Sequence, residues 1–388
     1  MASKAVSVFH HGPFSADAAK NAALRIRQEL SEPTTIALAF VSPDYQADLE
    51  EFVDIIRVDG HVSEVVGCTG TGLVFDEREN EGISGFSILA LHAENTSITI
   101  HELTTEVVEA SGSPEYWKQH LPQASGWIVL ANPFGFAVDE WLVDWNRAFP
   151  GVPMVGGLAS GGREAESIAV FHNAKTVHGA VAVALNGQLR LVPVISQGCR
   201  PIGEPLPVTS ADENVIFSLG SRPAYQALES AFQSLTEAEK SHAQGNLFAG
   251  LAGDEYVEEF RPGDFVIRNI IGADPQSGAV VIAGIPRLGQ TMQYQLRDRD
   301  AADADLQRVL NHVAPLVRKP IGSLLFCCTG RGTEFFNEPH HDAGMISRVL
   351  GRHSSAGFFC NGEIGPVAGR NCVHGYSAAC AILVDAKS

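Results

Sequence analysis

Residues 357–383 read GFFCNGEIGPVAGRNCVHGYSAACAIL. A glycine in an apolar run leads into a polar loop broken by glycines and a proline, and an apolar stretch, GYSAACAIL (375–383), follows. That succession occurs twice more upstream. EVVGCTG (64–70) precedes GFSILAL (85–91), and VPMVGGLASGG (152–162) precedes GAVAVAL (179–185). From the turn glycine to the glycine opening the closing strand is 18 residues for Gly67 to Gly85, 23 for Gly156 to Gly179, and 18 for Gly357 to Gly375. HNAKTVHGAV (172–181) also resembles RNCVHGYSA (370–378), each with an Asn shortly before Val-His-Gly.

Working outward, each copy begins with an apolar strand and a helix. TIALAF (35–40) comes before ADLEEFVDIIR (47–57), GWIVLAN (126–132) before DEWLVDWNRAF (139–149), and GSLLFCCTGRG (322–332) before GMISRVL (344–350). Ser15 is positioned to cap a helix to Leu30, with Ala19, Ala23, Ile26 and Leu30 on one face. The period is too long for a solenoid. The pattern predicts an α/β fold (α+β being the alternative within the class) of duplicated strand–helix–strand modules, forming mixed sheets flanked by helices in two domains. The competing reading is that strand–helix–strand order recurs in any α/β protein.

Between the second and third copies the pattern changes. SADENVIFSLGSRPAYQALESAFQSL (210–235) reads as two helices joined at Gly220–Pro223, with Ser221 capping the second. DFVIRNII (264–271), AVVIAG (279–284) and QTMQYQLRD (290–298) read as antiparallel strands, and DADLQRVLNHVAPLV (303–317) as a helix. A boundary near residue 220 follows.

Of the 388 residues 45% are hydrophobic and 19% charged, a globular composition, and the formal charge is 27 − 45 = −18. That balance disfavours nucleic acid and anionic membrane surfaces as partners. The N-terminus MASKAVSVFHHGPF has no secretory pattern, and no stretch approaches eighteen uninterrupted apolar residues. Seven cysteines, an odd number, suit free thiols in a reducing compartment, so a cytoplasmic location is expected.

GCTGTG (67–72) has the wrong glycine order for a dinucleotide fingerprint and no amphipathic helix behind it. Walker-type phosphate loops, His-Glu-x-x-His and Cys-x-x-Cys are absent from the sequence, so neither cofactor nor metal is expected. Glycine loops after strands either let backbone N–H groups converge on a ligand or only permit tight hairpins. On the first reading Gly67, Cys68, Gly70, Gly72, Arg331, Asn361, Glu363, Asn371 and His374 line a cleft. An Arg and a Glu there suit a zwitterion, guanidinium for carboxylate and carboxylate for ammonium. A second reading makes Cys327 or Cys360 the nucleophile of a hydrolase or transferase, with His374 as base. Against it stands the tendency of Cys to act as a small buried apolar filler. A third reading is a protein-interaction scaffold.

GCTGTGLVFDERENEGISGFSILAL, GGLASGG and VAVALNGQLRLVPVISQGCRPIGEPLPVT resemble the N-terminal region of FIST-domain proteins (F-box and intracellular signal transduction). RNIIGADPQSGAVVIAGIPRLGQTMQYQLRD, FCCTGRG and, most specifically, GFFCNGEIGPVAGRNCVHGYSA resemble their C-terminal region. The resemblance covers about residues 30–385 and implies a FIST N-terminal domain over 1–220 and a FIST C-terminal domain over 221–388. It also implies a sensory module for small ligands, amino acids or related compounds among them. No output domain is legible at either end, so a signalling role implies a separate partner. The resemblance supplies no catalytic triad.

Overall fold

The computed structural model describes residues 2–30, 32–134 and 136–386. Two compact units form: residues 1–195, 306–373 and 377–388 make the first, and 196–305 with 374–376 the second. This spatial partition differs in kind from the two sequence domains, which are family regions along the chain.

The first unit consists of three modules. The first runs β1 (Lys4–His11), α1 (Ala16–Leu30), β2 (Thr34–Val41), α2 (Leu49–Gly60), β3 (Val62–Thr69), a hairpin of β4 (Gly72–Phe75) and β5 (Arg78–Glu81), and β6 (Gly85–His92). The second runs β7 (Thr96–Thr104), α3 (Thr105–Ser111), α4 (Pro114–His120), β8 (Gly126–Ala131), α5 (Val138–Ala148), β9 (Met154–Leu158), the hairpin β10 (Val170–His172) and β11 (Lys175–Thr176), and β12 (Gly179–Gly187).

The third module opens with β13 (Leu189–Gln197) and is interrupted in sequence by the second unit. That unit contains β14 (Cys199–Asp212), β15 (Val215–Leu219), β16 (Arg222–Pro223), α6 (Ala224–Gln233), α7 (Glu237–Ala243), β17 (Leu247–Ala252), β18 (Phe265–Asp274), β19 (Ala279–Ile282) and β20 (Thr291–Arg297). The module resumes with α8 (Arg299–Val317), β21 (Gly322–Cys328), α9 (Thr333–Phe336), α10 (His341–Leu350) and β22 (Ser354–Cys360). The hairpin β23 (Glu363–Val367) and β24 (Arg370–His374) and then β25 (Ser377–Asp385) complete it.

The three sheets have one plan: β1-β6-β2-β3-β10-β11, β7-β12-β8-β9-β23-β24 and β13-β25-β21-β22-β4-β5. In each, the two central strands are parallel and the closing strand is antiparallel to the first of them. The last two strands never belong to the module they complete. The first module's hairpin joins the third sheet, the second module's joins the first, and the third module's joins the second. This cyclic exchange covers an edge of each central strand pair with a neighbour's backbone, which satisfies donors that would otherwise template aggregation.

Register exposes what the repeat requires. Gly67, Gly156 and Gly357 stand opposite Ala39, Val129 and Leu325 on the parallel neighbour. A Cβ on any of them would lie 1.8–1.9 Å from that neighbour's carbonyl oxygen, so only glycine allows the strands to close. Two residues before each glycine, a backbone N–H is accepted by a side chain of the incoming hairpin. Asn173 Oδ1 takes Val65 N (3.0 Å), Asn371 Oδ1 takes Met154 N (2.8 Å) and Asp76 Oδ1 takes Ser355 N (3.1 Å).

Inner faces of the three sheets share one apolar core containing Phe40, Leu130, Phe326 and Phe358, in which Phe40 stacks on Phe358 at 5.1 Å. On the outer faces helices bury their apolar stripes. Ala19, Ala23, Ile26 and Leu30 of α1 pack with Phe52, Val53 and Ile56 of α2 in a core of their own.

Two expectations need correction. The closing position of the third module is Ser377, not Gly375, because Ala378 pairs with Cys327 as Phe86 pairs with Val41 and Ala180 with Ala131. Gly85 and Gly179 there have φ of +155° and +140°, whereas Ser377 has no positive φ and keeps a side chain. In the second unit, residues 210–219 form the β14–β15 hairpin rather than a helix. Glu213 at φ +48° turns the chain, and VIFSL buries Ile216 and Leu219. The helix of the second half, α6, starts at Ala224 after Pro223, without Ser221 as its cap.

Among the described residues no helix is long and apolar enough to cross a membrane, which says nothing of a β-barrel.

Candidate functional site

The glycine turns of the three modules meet. Ser160 N donates to Thr69 O (3.1 Å) and Asn361 N to Leu158 O (2.9 Å), while Thr71 N donates to Ser160 Oγ (2.9 Å). Asn361 is exposed at this junction and donates Nδ2 to Ala159 O (3.1 Å). The glycines serve contact with the third module rather than an open cradle. A Cβ on Gly70 would lie 2.7 Å from Phe358 Cβ, and one on Gly72 would lie 2.6 Å from the Phe359 ring. Gly67 is the strand glycine described above, and Cys68 is fully buried.

Arg331 and Glu363, by contrast, lie inside the third module in a polar centre. Arg331 Nε and Nη2 reach Asp342 Oδ2 and Oδ1 at 2.8 and 2.9 Å, with both side chains wholly buried. The Arg331 guanidinium also lies 5.1 Å from the Phe336 ring, on which His341 stacks at 3.5 Å. His341 Nδ1 is 2.9 Å from Asp342 Oδ1. Arg331 Nη1 is buried with no hydrogen-bond partner among the described residues.

Glu79 arrives from the first module's hairpin. Its Oε1 accepts Ala343 N (2.7 Å) in the first turn of α10, where the helix end favours an acid. Glu81, on the same hairpin, accepts Thr333 N and Oγ1 at the start of α9, both at 2.7 Å. Glu363 Oε2 takes Ser377 N (3.1 Å) and Ser377 Oγ (2.6 Å), and Oε1 takes the Cys360 thiol (3.2 Å).

Comparison between modules sets this centre apart. Register places Glu363 where the other hairpins have buried Leu73 and Val170, and Cys327 where β2 and β8 have Val41 and Ala131. The third module thus replaces hydrocarbon by ionisable groups at positions where hydrocarbon is sufficient for folding. Buried polar groups cost stability unless fully paired, which makes this centre the candidate site.

The electrostatics follow from burial. Desolvation and the Asp342 charge push the Glu79 carboxyl up to about 8. Desolvation pushes Glu363 up to about 7, with the Ser377 and Cys360 hydrogen bonds pulling the other way. Asp342 stays below its ordinary value despite burial, because Arg331 and His341 hold it charged. Two carboxyls that bind protons more tightly folded than unfolded make the folded state the greater proton binder between about pH 4.5 and 8. Their contribution is full below the unfolded carboxyl pKa and is lost as pH rises through 7 and 8. Urea midpoints are therefore expected to fall across this window, and the decline to flatten in Glu79→Gln with Glu363→Gln.

The thiols are not activated. Burial first, and then neighbouring carboxylates, push Cys327 and Cys360 well above their ordinary value. Cys372 alone of the seven cysteines is not buried. In native protein a thiol reagent is expected to modify Cys372 rapidly and the other six only at the rate of unfolding; fast labelling of Cys327 or Cys360 would restore the nucleophile reading. Glu79, Cys327 and Asp342 offer ligand atoms within 4.8 Å of one another, a possible metal triad. Asp342 is, however, already taken up by Arg331 and His341, and the Arg331 charge opposes a cation there.

Asn371 spends its amide on Met154 N, Val152 O (3.0 Å) and Asn146, and so clamps β9 to its hairpin. His374 is buried and groups with the second unit. Glu79, Asp342 and Ser377 are not among the residues expected from the sequence. RENEG and HHDAG look like solvated turns, and only the hairpin exchange brings them inside.

The FIST N domain family matches residues 35–222 and the FIST C domain family residues 224–366. An uncharacterised protein of Mycobacterium tuberculosis is 34% identical over 373 residues, covering 95% of this chain and 96% of its own length. An uncharacterised protein of Mycobacterium bovis is 42% identical over 261 residues, covering 66% of this chain and 67% of its own.

Proposed function

The chain belongs to the FIST family, whose domains are generally sensory and ligand-binding, and from that premise we propose that it is a cytoplasmic small-molecule sensor recognising its ligand at the Arg331 centre. The observation that carries this reading is the buried guanidinium with one donor left open, Nη1, near two buried carboxyls, Glu79 and Glu363, that burial pushes up. A ligand carboxylate would take the open donor, and an ammonium group would take Glu79 or Glu363. Such a pair of demands selects an amino acid or a related zwitterion.

Arg331 lies between exposed Thr329 and Thr333, with Gly330 and Gly332 beside it, so the segment 329–332 is the part that must move for entry. Ligand binding would neutralise the open donor and draw this segment together with the α9 and α10 starts. A separate protein would then read the new surface.

Native mass spectrometry of freshly purified protein tests the proposal. A bound small zwitterion is expected on the native chain and absent from Arg331→Lys, whose ammonium lacks the planar fork. A chain that carries nothing, and takes up nothing from a metabolite extract, would overturn it.

A further inference from the structure

The first strand of each module lies at the end of its sheet, and in β7 that edge is bare. Thr105 N donates to His178 O (3.2 Å), so β12 turns its even-numbered residues toward β7. Asn132 N on Gly179 O (2.8 Å) and Ser125 N on Leu185 O (2.7 Å) show its odd-numbered ones turned toward β8. With Leu103 opposite Ala180 and His101 opposite Ala182, the odd-numbered residues of β7 complete the ladder. The N–H and C=O groups of Ile98, Ile100 and Glu102 therefore face outward, and among the described residues no strand pairs with them.

The other two opening strands are protected. In β1, Gly12 N on Ser84 O sets the even-numbered residues toward β6, and the outward Ala5 O accepts Ser354 Oγ (3.3 Å) from the third module. Lys4 stands at the start of the same strand. β13 carries Pro193, which has no N–H to offer. β7 reads TSITIHELT, with neither lysine nor proline, and its Thr and Ile residues favour pairing. A long bare edge of this kind is an interaction surface.

Charge and shape name the occupant. The chain carries −18, so two copies repel over most of their surfaces. Along β7 the one carboxylate is Glu102, and Lys175 Nζ lies 2.5 Å and His172 Nδ1 3.0 Å from its oxygens. Here a second acidic copy meets little repulsion. Two-fold pairing about Ile100 sets Ile98 against Glu102 and Thr99 against His101, so Glu102 never meets itself. Ser97, Thr99, His101 and Leu103 share the helix-covered face, where Leu103 enters the core and the His101 ring lies 5.9 Å from Trp127. An open groove of about 350 Å³ runs along residues 100–103, lined also by Tyr116, His120, Leu121 and His172. The small Ser97 and Thr99 of the incoming strand fall opposite Leu103 and His101, at this groove.

We propose that β7 pairs antiparallel with β7 of a second copy, joining their six-stranded sheets into one continuous sheet. The surface is separate from the Arg331 centre, and neither proposal depends on the other.

Sedimentation equilibrium of the full chain is expected to show monomer and dimer in exchange. Ile100→Pro deletes an outward N–H and leaves the ladder to β12 intact. Thr99→Lys, at an exposed position, adds the charge that guards natural edges. Each is expected to raise the dimer dissociation constant at least about tenfold, Thr99→Lys with an unchanged urea midpoint. In the native chain the amides of Ile98, Ile100 and Glu102 are expected to exchange more slowly as protein concentration rises. A monomer at every concentration, the result if the edge serves a different protein, would overturn the proposal. So would a dimer that Thr99→Lys leaves undiminished, or one whose formation leaves those three amides unprotected.

Discussion

Gly357→Ala is expected to cost more than about 3 kcal/mol of stability, a large share of what holds a domain folded. The new Cβ would sit 1.8 Å from the Leu325 carbonyl oxygen and 2.8 Å from its carbon, both backbone atoms of the paired strand. Backbone cannot rotate away as a side chain can, so β21 and β22 must separate. Gly156→Ala meets the same obstacle at Val129 and is expected to behave alike. Gly369→Ala is the control. It has open space around it and φ of +74°, so only the left-handed conformation is penalised, at about 1–2 kcal/mol. Urea midpoints compare the three. Equal losses at Gly357 and Gly369 would mean that the strand contact is not what the repeat preserves.

Asp342→Ala is the second large effect, expected to cost about 3–5 kcal/mol because it leaves the Arg331 charge buried without its partner. Removing both charges is a different matter. Arg331→Met with Asp342→Leu keeps volume and removes the desolvation penalty of two ions, so stability is expected to return close to that of the native chain. The double variant is also expected to lose ligand binding. Recovered stability without recovered binding would separate a centre kept for recognition from one kept for folding. If the double variant is as unstable as Asp342→Ala, the pair is a structural requirement and the comparison between modules misleads.

Much of the fold was legible because its signals are local. Apolar runs, helical spacing and turn glycines recur three times, and Gly67, Gly156 and Gly357 fall at equivalent places in the register. The hairpin exchange was not legible. Which strand receives LVFDEREN is decided by pairing between residues 73–75 and 356–358, and such distant pairing leaves no periodicity to read. Residues 210–219 misled because ENVIFSL fits a helical face as well as a short strand; the turn at Glu213 decided it.

The site was legible in part for the same reason. Arg331 and Glu363 stood out as charges among glycines, and both are buried. Asn371 stood out through its likeness to the second copy, yet that likeness reflects a shared clamp on backbone N–H groups. Asp342 and Glu79 were hidden because a buried carboxylate at a helix start has the sequence appearance of an exposed one.

The central claim is recognition of a zwitterion at Arg331, and calorimetric titration of amino acids into the full chain tests it most directly, in two buffers of different ionisation heat at pH 7.5. With Glu79 pushed up to about 8, an ammonium group arriving at that carboxyl displaces a proton at this pH. The account expects saturable binding accompanied by proton release. It expects both to vanish in Arg331→Lys, and the release alone to shrink in Glu79→Gln. Binding that persists unchanged in Arg331→Lys, or a full amino-acid panel without heat at millimolar concentration, would contradict it.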